Sequence, residues 1–118
     1  MEKIVRQSML YDFYGELLTE HQKSIYEDVV INDLSYSEIA NLNGISRQGV
    51  YDLIKRCDKI LEDYESRLRL VERFETAREK IAGMRDTIAE LKKEENSAEY
   101  ESLLARMDAM MVDLLEQF

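Results

Sequence analysis

Apolar side chains recur every three or four positions along almost the whole chain, and each break in that recurrence predicts a helix end. Ile4, Val5, Met9, Leu10, Phe13, Tyr14, Leu17 and Leu18 make a first helical stripe over residues 3–18. Thr19 with Gln22 three residues on has capping-box spacing: the hydroxyl accepts from the third amide while the Gln side chain returns to the cap amide. The helix it opens carries Ile25, Tyr26, Val29 and Val30 inward and breaks at Asn32-Asp33. Ser35 with Glu38 repeats the box ahead of a short third helix, with Ile39 and Leu42 inward and small Ala40 where two helices cross closely. Asn43-Gly44 ends that helix, the glycine supplying a left-handed conformation. Ile45 then tucks under the turn, Ser46 is placed to cap a fourth helix, and Val50, Leu53, Ile54 and Cys57 form its buried stripe.

Cap, small residue, turn glycine and apolar stripe at these offsets predict a helix-turn-helix over residues 35–57. Ser35, Glu38, Ile39, Ala40, Gly44, Ile45, Val50 and Leu53 are its scaffold. Ser46, Arg47, Gln48, Tyr51, Lys55 and Arg56 make the candidate nucleic-acid surface, with Asp52 among them. Arg47 and Gln48, at the helix start, suit base edges (Arg to guanine, Gln to adenine), and Tyr51 suits a phosphate or an unpaired base. Gly49, inside this helix, is expected to mark close approach to the preceding helix; room for a partner's backbone is the sharper alternative.

Beyond Asp58 the stripe Leu61, Tyr64, Leu68, Val71, Phe74, Ala77, Ile81, Met84, Ile88 and Leu91 predicts one long amphipathic helix of about 35 residues. The consecutive threes at 71, 74 and 77 slip the stripe around the helix and argue against one uniform coiled coil. Asn96 with Glu99 gives a third capping box, before a last helix bearing Tyr100, Leu103, Leu104, Met107, Met110, Met111, Leu114, Leu115 and Phe118. The expected fold is all-α: a four-helix bundle over 1–58 containing the helix-turn-helix, then a helical hairpin over 59–118 that serves oligomerisation. A small bundle cannot cover that much stripe, so a homodimer is expected ahead of a hairpin that only buttresses the bundle. The Met-rich end is read as core packing before a docking surface.

Composition fits this picture. No proline, four glycines and 35% charged residues in 118 favour helices. Cys57, the single cysteine, allows no intrachain disulfide and fits a reducing cytosol as a small buried hydrophobe. One histidine, His21, in a first helical turn and expected on the surface, leaves no His-rich metal site; no phosphate-cradling glycine loop occurs, and no active site is found. No catalytic residue, metal or cofactor is therefore assigned. The longest apolar run is four residues, Ala109 to Val112, and the start Met-Glu-Lys-Ile-Val-Arg lacks a signal pattern, so a cytoplasmic protein without membrane insertion is expected.

Charge complicates the picture. The chain holds 25 acidic against 16 basic side chains, net −9, whereas phosphate neutralisation supplies most nucleic-acid affinity. Residues 47–59 nonetheless carry Arg47, Lys55, Arg56 and Lys59 against Asp52 and Asp58, a local net of +2 on an acidic body.

Asp12-Phe13-Tyr14-Gly15, Leu17-Leu18-Thr19-Glu20, Ser46-Arg47-Gln48, Val50-Tyr51-Asp52 and Ile54-Lys55-Arg56 resemble the YlxM-type proteins of Gram-positive bacteria over residues 1 to about 75. The helix-turn-helix half is also similar to the promoter-reading region of RNA polymerase sigma factors, a winged-helix-like group. Asn43 stands where the family usually has an apolar residue, and Gly49 where it has a small alanine. The resemblance implies a DNA-binding or regulatory protein whose genes lie beside that of the signal recognition particle GTPase. Two functions compete: a DNA-binding regulator linked to that pathway, and an accessory factor that binds the targeting GTPase or its RNA without reading DNA. A scaffold with no nucleic-acid role is the third.

Overall fold

The computed structural model describes residues 2–93 and 97–118. It is all-α: α1 (Lys3–Tyr14), a short 3-10 turn (Gly15–Leu17), α2 (Glu20–Val30), α3 (Tyr36–Asn43), α4 (Arg47–Leu68), α5 (Leu70–Lys92) and α6 (Ser97–Glu116). The described residues contain no strand and hence no wing. The chain divides into two compact units, Met1–Val71 and Glu72–Phe118.

Local signals set the helix starts of the first unit. Thr19 and Ser35 each close a full capping box, with Gln22 and Glu38 as partners. Gly44 sits at φ +64°, where its own N–H and that of Ile45 both return to the Ala40 carbonyl. A side chain at that φ would be strained by its Cβ. Three helices pack on α4, which presents Val50, Leu53, Ile54, Cys57 and Leu61 to Leu10, Tyr14, Ile25, Tyr26 and Ile39.

Polar links add direction to this apolar core. The Tyr26 hydroxyl donates to Asp58 at 2.7 Å, and the Gln7 amide reaches both oxygens of that carboxylate at 3.0 and 3.2 Å. Arg6 grips Glu62 with two bonds of 2.6 and 2.7 Å. The Tyr14 hydroxyl donates to buried Glu65 at 2.5 Å and accepts from the Leu70 N–H, while Glu65 accepts from the Val71 N–H.

Several expectations need correcting. The fourth helix does not end near 58: α4 runs 22 residues to Leu68, so the expected long helix from 59 is instead the second half of α4 followed by α5. The break falls at Arg69, a non-glycine residue at φ +56°, where the next two amides are taken by Tyr14 and Glu65. Tertiary bonds, not a helix-breaking residue, end α4. The inward assignment of Leu42 is also wrong: it is 72% exposed. Ile4, Val5, Leu17 and Leu68 likewise lie largely exposed, so the first stripe narrows to Leu10, Tyr14 and Leu18 with Met9 and Phe13 beside them. A Cβ on Gly49 would meet only the Ser46 hydroxyl, at 3.1 Å, so this glycine accommodates its own cap rather than α3.

In the second unit α5 and α6 run antiparallel. The Phe74 and Phe118 rings meet edge-on at 5.4 Å, and Arg85 pairs with Asp108 at 2.8 Å. Ile81, Ile88, Leu104 and Met111 form the buried seam. The expected cap at Asn96 with Glu99 and the side chain of Tyr100 lie outside the described residues.

Candidate nucleic-acid interface

The start of α4 is built to hold side chains outward. The Ser46 hydroxyl accepts the Gly49 N–H at 2.9 Å and its carbonyl accepts the Val50 N–H at 3.1 Å, which fixes the first turn. Val50 and Cys57 are wholly buried and Leu53 and Ile54 nearly so, and this seats the helix against α3 and α2. Rotation of α4 about its axis would pull that stripe from the core, so the opposite face has one orientation only. Burial pushes the Cys57 thiol up to about 11, leaving it a protonated packing group rather than a nucleophile.

Arg47, Gln48, Tyr51, Lys55 and Arg56 are all exposed on that outer face. The Gln48 amide donates to Asp52 at 3.0 Å, one turn on. The Lys55 ammonium lies 5.1 Å from the centre of the Tyr51 ring, within cation–π range. Hydrogen bonding to the Tyr51 side chain raises the Lys55 pKa further above its ordinary value. Tyr51 in turn meets Tyr36 of α3 edge-on at 6.3 Å.

An open groove of about 430 Å³ lined by Tyr36, Arg47, Gln48 and Tyr51 lies between the starts of α3 and α4. Five of the six candidate contact residues thus share one surface with their polar groups outward. The sixth, Ser46, has its hydroxyl engaged as the cap. Tyr36 is the residue that the sequence did not single out. Its place as the first helical residue after the Ser35 cap gave no signal of this, because its contact with Tyr51 joins two helices. Asp52 also belongs to the surface: it holds Gln48 in place and puts one negative charge among the cations.

A short helix capped at both ends, a left-handed glycine turn and a second helix anchored by an apolar stripe with a cationic outer face define a helix-turn-helix protein. The family model described as "Putative helix-turn-helix protein, YlxM / p13 like" matches residues 1–106. Relatives are UPF0122 proteins: that of Shouchella clausii is 46% identical over 75% of this chain and 82% of its own. Another from Clostridium kluyveri is 43% identical over 82% and 87%, and one from Staphylococcus epidermidis 51% over 65% and 70%. The chain belongs to the YlxM/p13-like UPF0122 family of helix-turn-helix proteins. No helix among the described residues is long and apolar enough to cross a membrane.

Proposed function

We propose that this protein is a cytoplasmic DNA-binding regulator that reads duplex DNA with the outer face of α4 and is linked to the signal recognition particle pathway. The observation that carries the reading is the rigid presentation of Arg47, Gln48, Tyr51, Lys55 and Arg56, unsealed by packing. Arg47 and Gln48, at the first two helical positions, reach base edges, and Lys55 and Arg56, two turns on, meet phosphate. Tyr36 extends the surface toward the backbone from α3. A homodimer belongs to this reading, because one positive island contacts few phosphates and two copies double them. Selection from random duplexes at low salt tests it, with Arg47→Ala and Lys55→Ala as controls. An enriched sequence weakened by both substitutions is expected. No enrichment, or equal retention by the variants, removes it.

The net charge of −9 favours one alternative, in which the same island meets the RNA or GTPase of the targeting particle and the acidic remainder mates with a basic protein surface. Pull-down with the targeting GTPase and its RNA separates the two. Retention of either component, weakened by Arg47→Ala, supports the accessory role, and no retained component removes it.

A further inference from the structure

The hairpin pattern shows more than a helix pair needs. Phe74, Ala77, Ile81, Met84, Ile88 and Leu91 step along α5 by three and four alternately, and Leu104, Met107, Met111, Leu114 and Phe118 do the same along α6. This is the seven-residue repeat, and the slip lies at its start, where Val71, Phe74 and Ala77 step by consecutive threes. One of its two apolar positions fills the seam: Ile81 and Ile88 on α5, Leu104 and Met111 on α6. The pairing has a fixed register, since Phe74 meets Phe118 and Arg85 meets Asp108.

In antiparallel helices the positions that follow the seam residues by four fall on one side, and those that follow by three on the other. Arg85 and Asp108, each four after a seam residue, occupy the first side as an ion pair. Met84, Leu91, Met107 and Leu114, each three after, occupy the second. Leu103 and Met110 widen that second side, and the six side chains are 44–69% exposed. Apolar residues at three of the seven positions of α6 are the pattern of a bundle helix with two neighbours, wider than a two-stranded seam requires. The hairpin supplies one neighbour.

We propose that this side of the α5–α6 hairpin is where a second copy of the chain docks, closing an intermolecular four-helix bundle. The inference names the surface behind the homodimer proposed above. Two features select a second copy. The outer flank of this face holds Arg73, Lys80 and Thr87 on α5 and Arg106 and Asp113 on α6. The rim is thus cationic along α5 and carries an acid on α6, so two such faces offer each other opposite charges around an apolar centre. The six half-exposed side chains also amount to roughly 100 Å² each, so two copies bury on the order of 1,200 Å², the lower bound for a specific interface.

Sedimentation of the full chain from about 1 to 100 µM tests this, because a dimer's population follows protomer concentration. The wild type is expected at twice 13.9 kDa. Met107→Lys and Met110→Lys, each a charge brought into the apolar centre, are expected to weaken self-association at least tenfold with the circular dichroism unchanged. Ala82→Lys, on the side that carries Arg85, is expected to leave it intact. A wild type that stays monomeric overturns the proposal and gives the face to another protein. Met variants that dimerise as the wild type does, or an Ala82→Lys that dissociates equally, overturn it while leaving the homodimer itself standing. Duplex binding by the same samples reports on α4 separately, so loss of DNA reading and loss of this docking face give different results.

Discussion

Ser46 and Arg47 are neighbours with opposite duties, and substitution separates them. The Ser46 hydroxyl satisfies the Gly49 N–H at the start of α4. Ser46→Ala removes that acceptor and is expected to cost about 1 kcal/mol of stability, visible as a lower urea midpoint at unchanged slope. Its effect on DNA follows from fraying of the first turn and should shrink as temperature falls. Arg47 is exposed and supports nothing in the core. Arg47→Ala should leave the urea midpoint within about 0.5 kcal/mol of wild type, while costing about 1–3 kcal/mol of duplex affinity at one base position if it grips a guanine. If Arg47→Ala unfolds the protein as readily as Ser46→Ala, the side chain is structural and the contact surface must be redrawn.

For α4 as an element, the decisive feature is how it ends. Tyr14 and Glu65 hold the Leu70 and Val71 amides and so fix Arg69 in its left-handed turn. Tyr14→Phe removes the donor to a buried carboxylate and is expected to cost about 1.5–3 kcal/mol in a denaturant melt. Burial and the Glu65 hydrogen bond push the Tyr14 hydroxyl up to about 12, and burial with the Glu27 bond does the same for Tyr11. A phenol whose folded pKa is raised contributes stability that is complete below its ordinary value of about 10 and drains away as pH climbs from there to the folded value. With the Cys57 thiol draining in the same way from about 9 to about 11, stability should be level through neutral pH and fall between about pH 9 and 12, less steeply above pH 10 in Tyr14→Phe. An equal fall in both proteins would remove Tyr14 from that titration.

The same element shows what the sequence could tell. Caps at Thr19, Ser35 and Ser46 and the Gly44 turn were legible because each rests on residues within four positions of one another. The stripe of Val50, Leu53, Ile54 and Cys57 was legible because a buried helix face repeats at a fixed period. The end of α4 was not: nothing near Arg69 breaks a helix, and the turn there depends on Tyr14, far away along the chain. Leu42 was misjudged for a related reason. Its spacing matches Ile39, but the eight-residue α3 buries only Ile39 and Ala40, and the next turn points away. Of the candidate surface, the cations were legible as residues that the stripe excludes; the groove with Tyr36 was not, since it joins two helices.

For the molecule as a whole, charge makes an odd nucleic-acid binder, and that oddity is measurable. A local island of +2 belongs to a chain of net charge −9, so the rest of the chain carries −11. Phosphate contacts release counterions, so affinity for a duplex falls as salt rises, with a log–log slope of about −4 to −5 for roughly five contacts in a dimer. The acidic body acts in the other direction through a longer reach. Screening confines it to about 10 Å at 0.1 M salt but lets it extend to about 30 Å at 0.01 M, far enough for the α2 carboxylates of the same unit to repel the duplex. Affinity measured by fluorescence anisotropy should therefore rise as salt is lowered, then level off or turn over near the low end. Lys55→Ala, which removes one phosphate contact from each subunit of the dimer, should shallow the descending limb by about two units and leave the low-salt levelling in place. A basic protein partner predicts a different curve, because there the whole body attracts: affinity keeps climbing to the lowest salt, and Lys55→Ala steepens it. The curvature at low ionic strength thus separates a DNA reader from an accessory protein without knowledge of the operator or the partner's identity.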